Sequence, residues 1–163
     1  MAEVMTRDLL TITPTESVMM AWELMHQARY HHLPVVDDEG RCLGVLDSQT
    51  LAATWETGGP DRARRPVSAL LRKHMLATVH PDDRLGTAAK AMLRQESDHV
   101  AVTEARGRLV GLLTANDLIA TVAGVERAPA ADRTATPSLY RIEAVLPEDP
   151  EGGHRRRSRI SPE

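Results

Sequence analysis

The chain carries one pattern twice, 67 residues apart, so whatever fold it adopts must be built from two similar halves. Pro14 matches Pro81 (81 − 14 = 67), and the same offset carries Met25 onto Met92, Gly40 onto Gly107, Gly44 onto Gly111 and Leu51 onto Leu118. Thr11 and Thr78, Ala21 and Ala88, His32 and His99, and Val35 and Val102 keep the register too. No gap is needed from Thr11 to Leu51. Upstream, Val4-Met5 meets Leu70-Leu71 only if one residue is inserted. Each copy is a supersecondary unit whose apolar face needs the other for cover.

Both copies read alike. An extended piece (residues 10–13 and 77–80) runs into a proline, which disfavours helix at the residue before it. An amphipathic helix follows, with Val18, Ala21, Leu24, Met25 and Ala28 on one face, and Leu85, Ala88, Ala89 and Met92 in the second copy. Thr15 or Ser17, and Asp82 or Asp83, are the candidate N-caps. Strands at 33–36 and 100–103 lead through turns at Asp38-Glu39-Gly40 and Ala105-Arg106-Gly107 to strands at 42–46 and 109–113. A second helix begins near Ser48 or Ala115. The expected fold is α/β (α+β): two tandem β-α-β-β-α repeats packed sheet to sheet with pseudo-two-fold symmetry. Repeat 1 spans residues 3–55 and repeat 2 residues 66–124. Residues 56–65, rich in Gly, Pro and Arg, read as an exposed linker. Residues 125–163 lose the periodicity and read as a Pro/Ala-rich disordered tail. Within it, 139–146 is a candidate strand, and His154 to Arg157 with Arg159 form a basic cluster expected to be solvated.

Composition narrows the chemistry. Of 163 residues 42% are hydrophobic but only 2% aromatic, so the core must be aliphatic and Met-rich. A formal charge of −3 gives no basis for nucleic-acid or membrane-surface binding. No apolar run approaches the ~20 residues of a membrane span, and Met1-Ala2-Glu3 opens no signal peptide; a cytoplasmic location is expected. Cys42, the sole cysteine, excludes an internal disulfide and is expected to act as a buried small hydrophobe. Seven histidines raise the question of a metal. His31 and His32 are adjacent in an extended segment and point to opposite faces, and no HExxH or Cys/His pairing occurs. No metal site is expected. Asp37-Asp38-Glu39 reads as turn chemistry beside Gly40, and neither a Walker A nor a Rossmann glycine pattern is present.

The stretch VMTRDLLTITPTESVMMAWELMHQARYHHLPVVDDEGRCLGVLDSQTL resembles a cystathionine-β-synthase-type (CBS) motif along its length. The hallmarks are the Met-Thr opening, Thr-x-x-Pro from Thr11 to Pro14, and LPVVDDEG followed by a hydrophobic-Gly-hydrophobic strand. VAVTEARGRLVGLLTANDL repeats the pattern more loosely. The resemblance covers about residues 3–123. It implies a CBS pair, or Bateman module: a homodimer that binds adenine-containing ligands between repeats and regulates a partner protein. The expected ligands are AMP, ADP or ATP, with S-adenosylmethionine or NAD ranked lower. Catalysis is not expected, because the repeats leave no room for a barrel of ~250 residues. A ligand-free dimerisation or adaptor protein is the alternative.

The resemblance also assigns a site. Family pockets centre on Gly-hydrophobic-x-Thr/Ser-x-x-Asp, which repeat 2 matches in full as Gly111-Leu112-Leu113-Thr114-Ala115-Asn116-Asp117. Asp117 can accept from both ribose hydroxyls, Thr114 stands at a helix N-terminus that favours phosphate, and Gly111 permits close approach. The competing use of Thr114 and Asp117 is to cap and steady the helix. Repeat 1 departs from the pattern: Asp47 holds the threonine position and Thr50 the aspartate position, so this half-site is expected to bind nucleotide poorly or not at all. By family analogy Asp117 faces Thr6, Arg7, Tyr30, His31 and His32, with Tyr30 over the adenine and the histidines near phosphate. The opposite cleft would receive Ser97-Asp98-His99.

Overall fold

The computed structural model describes residues 1–56, 61, 63–71 and 76–125; the sequence expectations for the tail beyond Val125 lie outside them. In repeat 1, helix α1 (Val18–Ala28) begins where Ser17 Oγ accepts the Met20 N–H at 3.1 Å. It ends at Arg29, which turns into the left-handed region at φ 54°. Strands β1 (His32–Val36) and β2 (Cys42–Asp47) then pair antiparallel around a turn that Gly40 closes at φ +76°, a conformation suited to glycine. Helix α2 (Ser48–Glu56) completes the unit. Repeat 2 follows the same order with β3 (Thr78–Val79), α3 (Leu85–Gln95), β4 (His99–Thr103), β5 (Leu109–Thr114) and α4 (Ala115–Ala123).

The duplication persists at the level of individual pairs. His32 opposes Asp47 and Val35 opposes Gly44 in the first hairpin; His99 opposes Thr114 and Val102 opposes Gly111 in the second. Even the register shift recurs, between Val35 and Val36 and between Val102 and Thr103. β1 and β2 make one sheet, and β3-β4-β5 the other. Between the sheets Cys42, Ala101 and Leu109 are buried together, and the Leu109 N–H donates to the Gly40 carbonyl at 3.0 Å.

Three local expectations are corrected. The extended piece at 10–13 forms a single parallel bridge, Ile12 to Val35, whereas its counterpart β3 pairs at two positions with β4. Asp82 and Asp83 do not cap α3; its N-cap is Arg84, without a side-chain bond. Asp83 Oδ2 instead accepts the His80 N–H at 2.8 Å, so its carboxylate is committed one turn earlier. The linker is also not exposed throughout: Ala63 is buried, and the Val18 N–H donates to Arg65 O.

The lead-in segments are exchanged between repeats. Val67, with Leu70 and Leu71 beside it, packs on the core of repeat 1, among Val18, Leu33 and Leu46. Met5, with Met1, Ala2 and Val4, packs on the core of repeat 2, among Val79, Val100 and Leu113. Thr6 and Leu112 exchange two backbone hydrogen bonds at 2.9 Å, tying the N-terminus to β5. Among the described residues no helix is long and apolar enough to cross a membrane.

Candidate functional site

Thr114 ends β5 and is the N-cap of α4, so the strand-to-helix junction itself places the expected nucleotide motif. Its N–H and its hydroxyl both donate to Asp117 Oδ2, at 2.8 and 2.7 Å, and the Asp117 N–H returns a longer bond to Thr114 Oγ1 at 3.4 Å. This is a capping box that satisfies helix donors with no other partner in the helix. Asp117 is only 2% exposed. Its carboxylate is turned toward its own cap, the competing role weighed for it above.

Gly111 owes its lack of a side chain to the protein itself. A Cβ there would lie 2.5 Å from Met5 Sδ and 2.9 Å from Met5 Cγ. The matching Gly44 is covered in the same way by Leu71, whose Cδ2 would lie 2.6 Å from an added Cβ. Thr6 reaches the expected neighbourhood through its pairing with Leu112. The exposed Arg7 guanidinium donates to Ala2 O at 3.1 Å, and the Tyr30 N–H closes α1 onto Met25 O. His31 and His32 face the other cleft.

That other cleft is a cavity of about 1020 Å³. Its walls include Asp47 and Thr50 of repeat 1, Leu71 and Leu76 of the approach to repeat 2, and Ser97 to His99 at the start of β4. The sequence brought Ser97-Asp98-His99 to the Asp47 half-site, and all of them line this one cavity. It also took this half-site to bind nucleotide poorly or not at all, having lost the Thr/Asp pair. The pair is in fact retained with its members exchanged. The Thr50 hydroxyl donates to Asp47 Oδ2 at 2.7 Å and its N–H to Asp47 Oδ1 at 2.7 Å. Asp47 is half-buried, in contrast to Asp117. The signal that could have revealed this is Asp-x-x-Thr, a capping pair read in reverse.

On the rim of the cavity the repeats meet at His32 and His99, whose ring centroids are 4.6 Å apart. Asp98 Oδ1 lies 3.0 Å from His32 Nε2 and 3.1 Å from His99 Nδ1. Burial opposes ionisation of Asp98, but the bonds and charges of His99 and His32 outweigh it and lower the pKa. For His99 burial prevails over the attraction of Asp98 and holds the imidazole below its ordinary value. Reading the histidines one at a time missed this cluster; their equivalence under the repeat was the available signal. Cys42 supplies no nucleophile: burial pushes its thiol up to about 11.

Known proteins share this architecture. A CBS domain pair of protein MJ0100, solved with 5′-methylthioadenosine and S-adenosyl-L-methionine, superposes with a TM-score of 0.67 at 21% identity, over 76% of this chain and 94% of that one. CBSX2 in complex with AMP gives 0.65 at 26% identity, over 77% and 97%. In sequence, a homoserine O-acetyltransferase of Methanococcoides burtonii is 26% identical over 117 residues, 72% of this chain but 23% of that protein. A CBS domain-containing protein of Dictyostelium discoideum is 25% identical over 72% of this chain and 86% of its own length. The chain spans about a quarter or less of the enzymes it matches. A family model for the CBS domain matches residues 1–54 and 67–124, both copies of the repeat, and the chain belongs to the CBS domain family.

Proposed function

We propose that the chain is a non-enzymatic regulatory module that binds an adenine nucleotide or related adenosyl ligand between its repeats and signals the occupied state to a partner protein. The observation that carries this reading is the cavity of about 1020 Å³ at the repeat junction, large enough for a nucleoside and its substituent. Leu71 and Leu76 offer apolar surface to a purine, and the half-buried Asp47 offers a carboxylate acceptor to ribose hydroxyls. The relatives solved with AMP and with S-adenosyl-L-methionine support the ligand class. So does the cytosolic domain of the Mg2+ channel MgtE, solved with ATP.

Among the described residues the charged groups lining this cavity are Asp47, Glu96 and Asp98, besides the titratable His31, His32 and His99. Three carboxylates favour adenosyl ligands with few phosphates or a cationic sulfur over ADP and ATP. The second cleft, at Gly111, Thr114 and Asp117 with Thr6, Arg7 and Tyr30, opens to ligand when Met5 leaves its place. Sensing requires two arrangements with different affinity for the ligand, and the Met5 and Leu71 contacts are the elements able to shift. The module acts as a cytoplasmic homodimer, for which the exposed Met19 of α1 and Ile119 and Val122 of α4 supply apolar contact surface.

A thermal-shift panel of AMP, ADP, ATP, NAD, 5′-methylthioadenosine and S-adenosylmethionine tests the reading. AMP or an adenosyl thioether is expected to stabilise by about 2.7 kcal/mol at a hundredfold excess over Kd. Asp47→Asn should reduce that shift more than Asp117→Asn does. If no member of the panel moves the melting temperature, the ligand-free adaptor reading replaces this one.

A further inference from the structure

We infer that His32, Asp98 and His99 form a binding site for one divalent transition-metal ion of the zinc class, assembled from both repeats at the rim of the cavity. The donor atoms are already gathered. Asp98 Oδ1 stands 3.0 Å from His32 Nε2 and 3.1 Å from His99 Nδ1, and all three ligand atoms lie within 4.8 Å of one another. Ligand atoms about 2.0–2.1 Å from a tetrahedral zinc ion are separated from one another by about 3.3 Å. The cluster is therefore close to coordination geometry before any ion enters.

The donor set selects the metal. Two imidazole nitrogens and one carboxylate oxygen suit zinc, cobalt or nickel, whereas calcium and magnesium favour all-oxygen shells. Both histidines begin strands, His32 in β1 and His99 in β4, each held by a hairpin partner, Asp47 and Thr114. Strand-borne ligands are fixed more firmly than loop-borne ones. Their side chains are only 14% and 16% exposed, while Asp98, at 69%, is reachable from solvent and gives an ion its way in. Ser97 Oγ accepts the His99 backbone N–H at 3.2 Å and fixes that residue's backbone. All three candidate ligands line the cavity, so coordination positions left open by the protein face it.

The arrangement comes from the duplication. His32 and His99 are equivalent under the 67-residue repeat, and the packing of the repeats brings their rings to 4.6 Å at a tilt of 53°. Asp98 is the counterpart of His31, so the cluster gains its carboxylate from a position where the two copies differ.

The test is a Co2+ titration of the full chain, stripped with chelator and free of nucleotide, followed by the visible ligand-field bands and by Zn2+ competition. One Co2+ per chain is expected, with bands of nitrogen and oxygen ligation that Zn2+ erases. His32→Ala and His99→Ala should each weaken binding by about tenfold or more. Asp98→Asn, at an exposed side chain, should weaken it while the metal-free protein keeps its folded circular-dichroism spectrum, which keeps the test valid if a histidine variant folds poorly. His26→Ala, on the exposed face of α1, should bind like the parent chain. Absence of the bands, or Co2+ binding that survives His32→Ala, His99→Ala and Asp98→Asn unchanged, overturns the site. Because no adenosyl compound is present, failure here is distinct from failure of the sensing reading.

Discussion

At the scale of single residues, Gly44 and Gly111 show what the repeat revealed and what it concealed. Their recurrence is plain in the sequence, which offers close approach of a ligand as the reason for Gly111. The atoms that need the space are Leu71 and Met5, partners that no linear spacing identifies because each belongs to the other repeat's lead-in. Gly111→Ala is expected to cost about 1–3 kcal/mol, since Met5 must leave its packed position. In a Met5→Ala background the same change should cost little, and urea unfolding of all four proteins measures the coupling. Additive costs would show that Met5 is not what Gly111 accommodates. Asp37 supplies a second residue-scale prediction. Burial raises its pKa, but the N–H groups of Arg41 and Glu39 and the Arg41 guanidinium outweigh that and hold it below 3.8. A depressed native pKa means the unfolded chain takes up the proton first as pH falls. The stabilisation is therefore present above the unfolded value and lost as pH drops through the native one. Asp37→Asn should remove this acid-side step from a plot of melting temperature against pH, and an unchanged profile would contradict it.

At the scale of elements, the helices, hairpins and turns were legible because apolar period, proline position and glycine turns all agreed. Caps were less legible, since several polar residues compete near each helix start and tertiary contacts decide among them. Ser17 caps α1 as anticipated, while Asp83 is drawn to His80 and leaves Arg84 at the start of α3. The junctions into α2 and α4 are more instructive. Each uses one carboxylate and one threonine three residues apart, in opposite order: Asp47 with Thr50, and Thr114 with Asp117. If the pair is what the junction requires, order is secondary. The double change Asp47→Thr with Thr50→Asp should retain stability within about 0.5 kcal/mol, whereas Asp47→Ala should lose about 1–2 kcal/mol through the missing cap. Chemical denaturation compares them directly. A double variant as unstable as Asp47→Ala would mean that the order is fixed by packing around each helix.

At the scale of the molecule, the sequence suggested two consecutive blocks, and the packing joins each block through the other's first residues. The hint was the one-residue slip between Val4-Met5 and Leu70-Leu71, because a lead-in that crosses to the opposite core need not keep the register of its own repeat. Met5 is 9% exposed and packs among repeat 2 residues although it belongs to the lead-in of repeat 1. Leu71 makes the reciprocal crossing. The cores are thereby linked, and a change in one lead-in alters the packing of the distant repeat. Met5→Ala should destabilise by about 2–3 kcal/mol. In hydrogen exchange its effect should concentrate in β4 and β5, more than sixty residues along the chain. Leu71→Ala should instead speed exchange in β1 and β2, which precede it. Protection lost in each variant's own repeat would refute the exchange. The crossed pattern would show why neither repeat is complete alone: the contact covering each Gly is supplied by the segment that leads into the other copy.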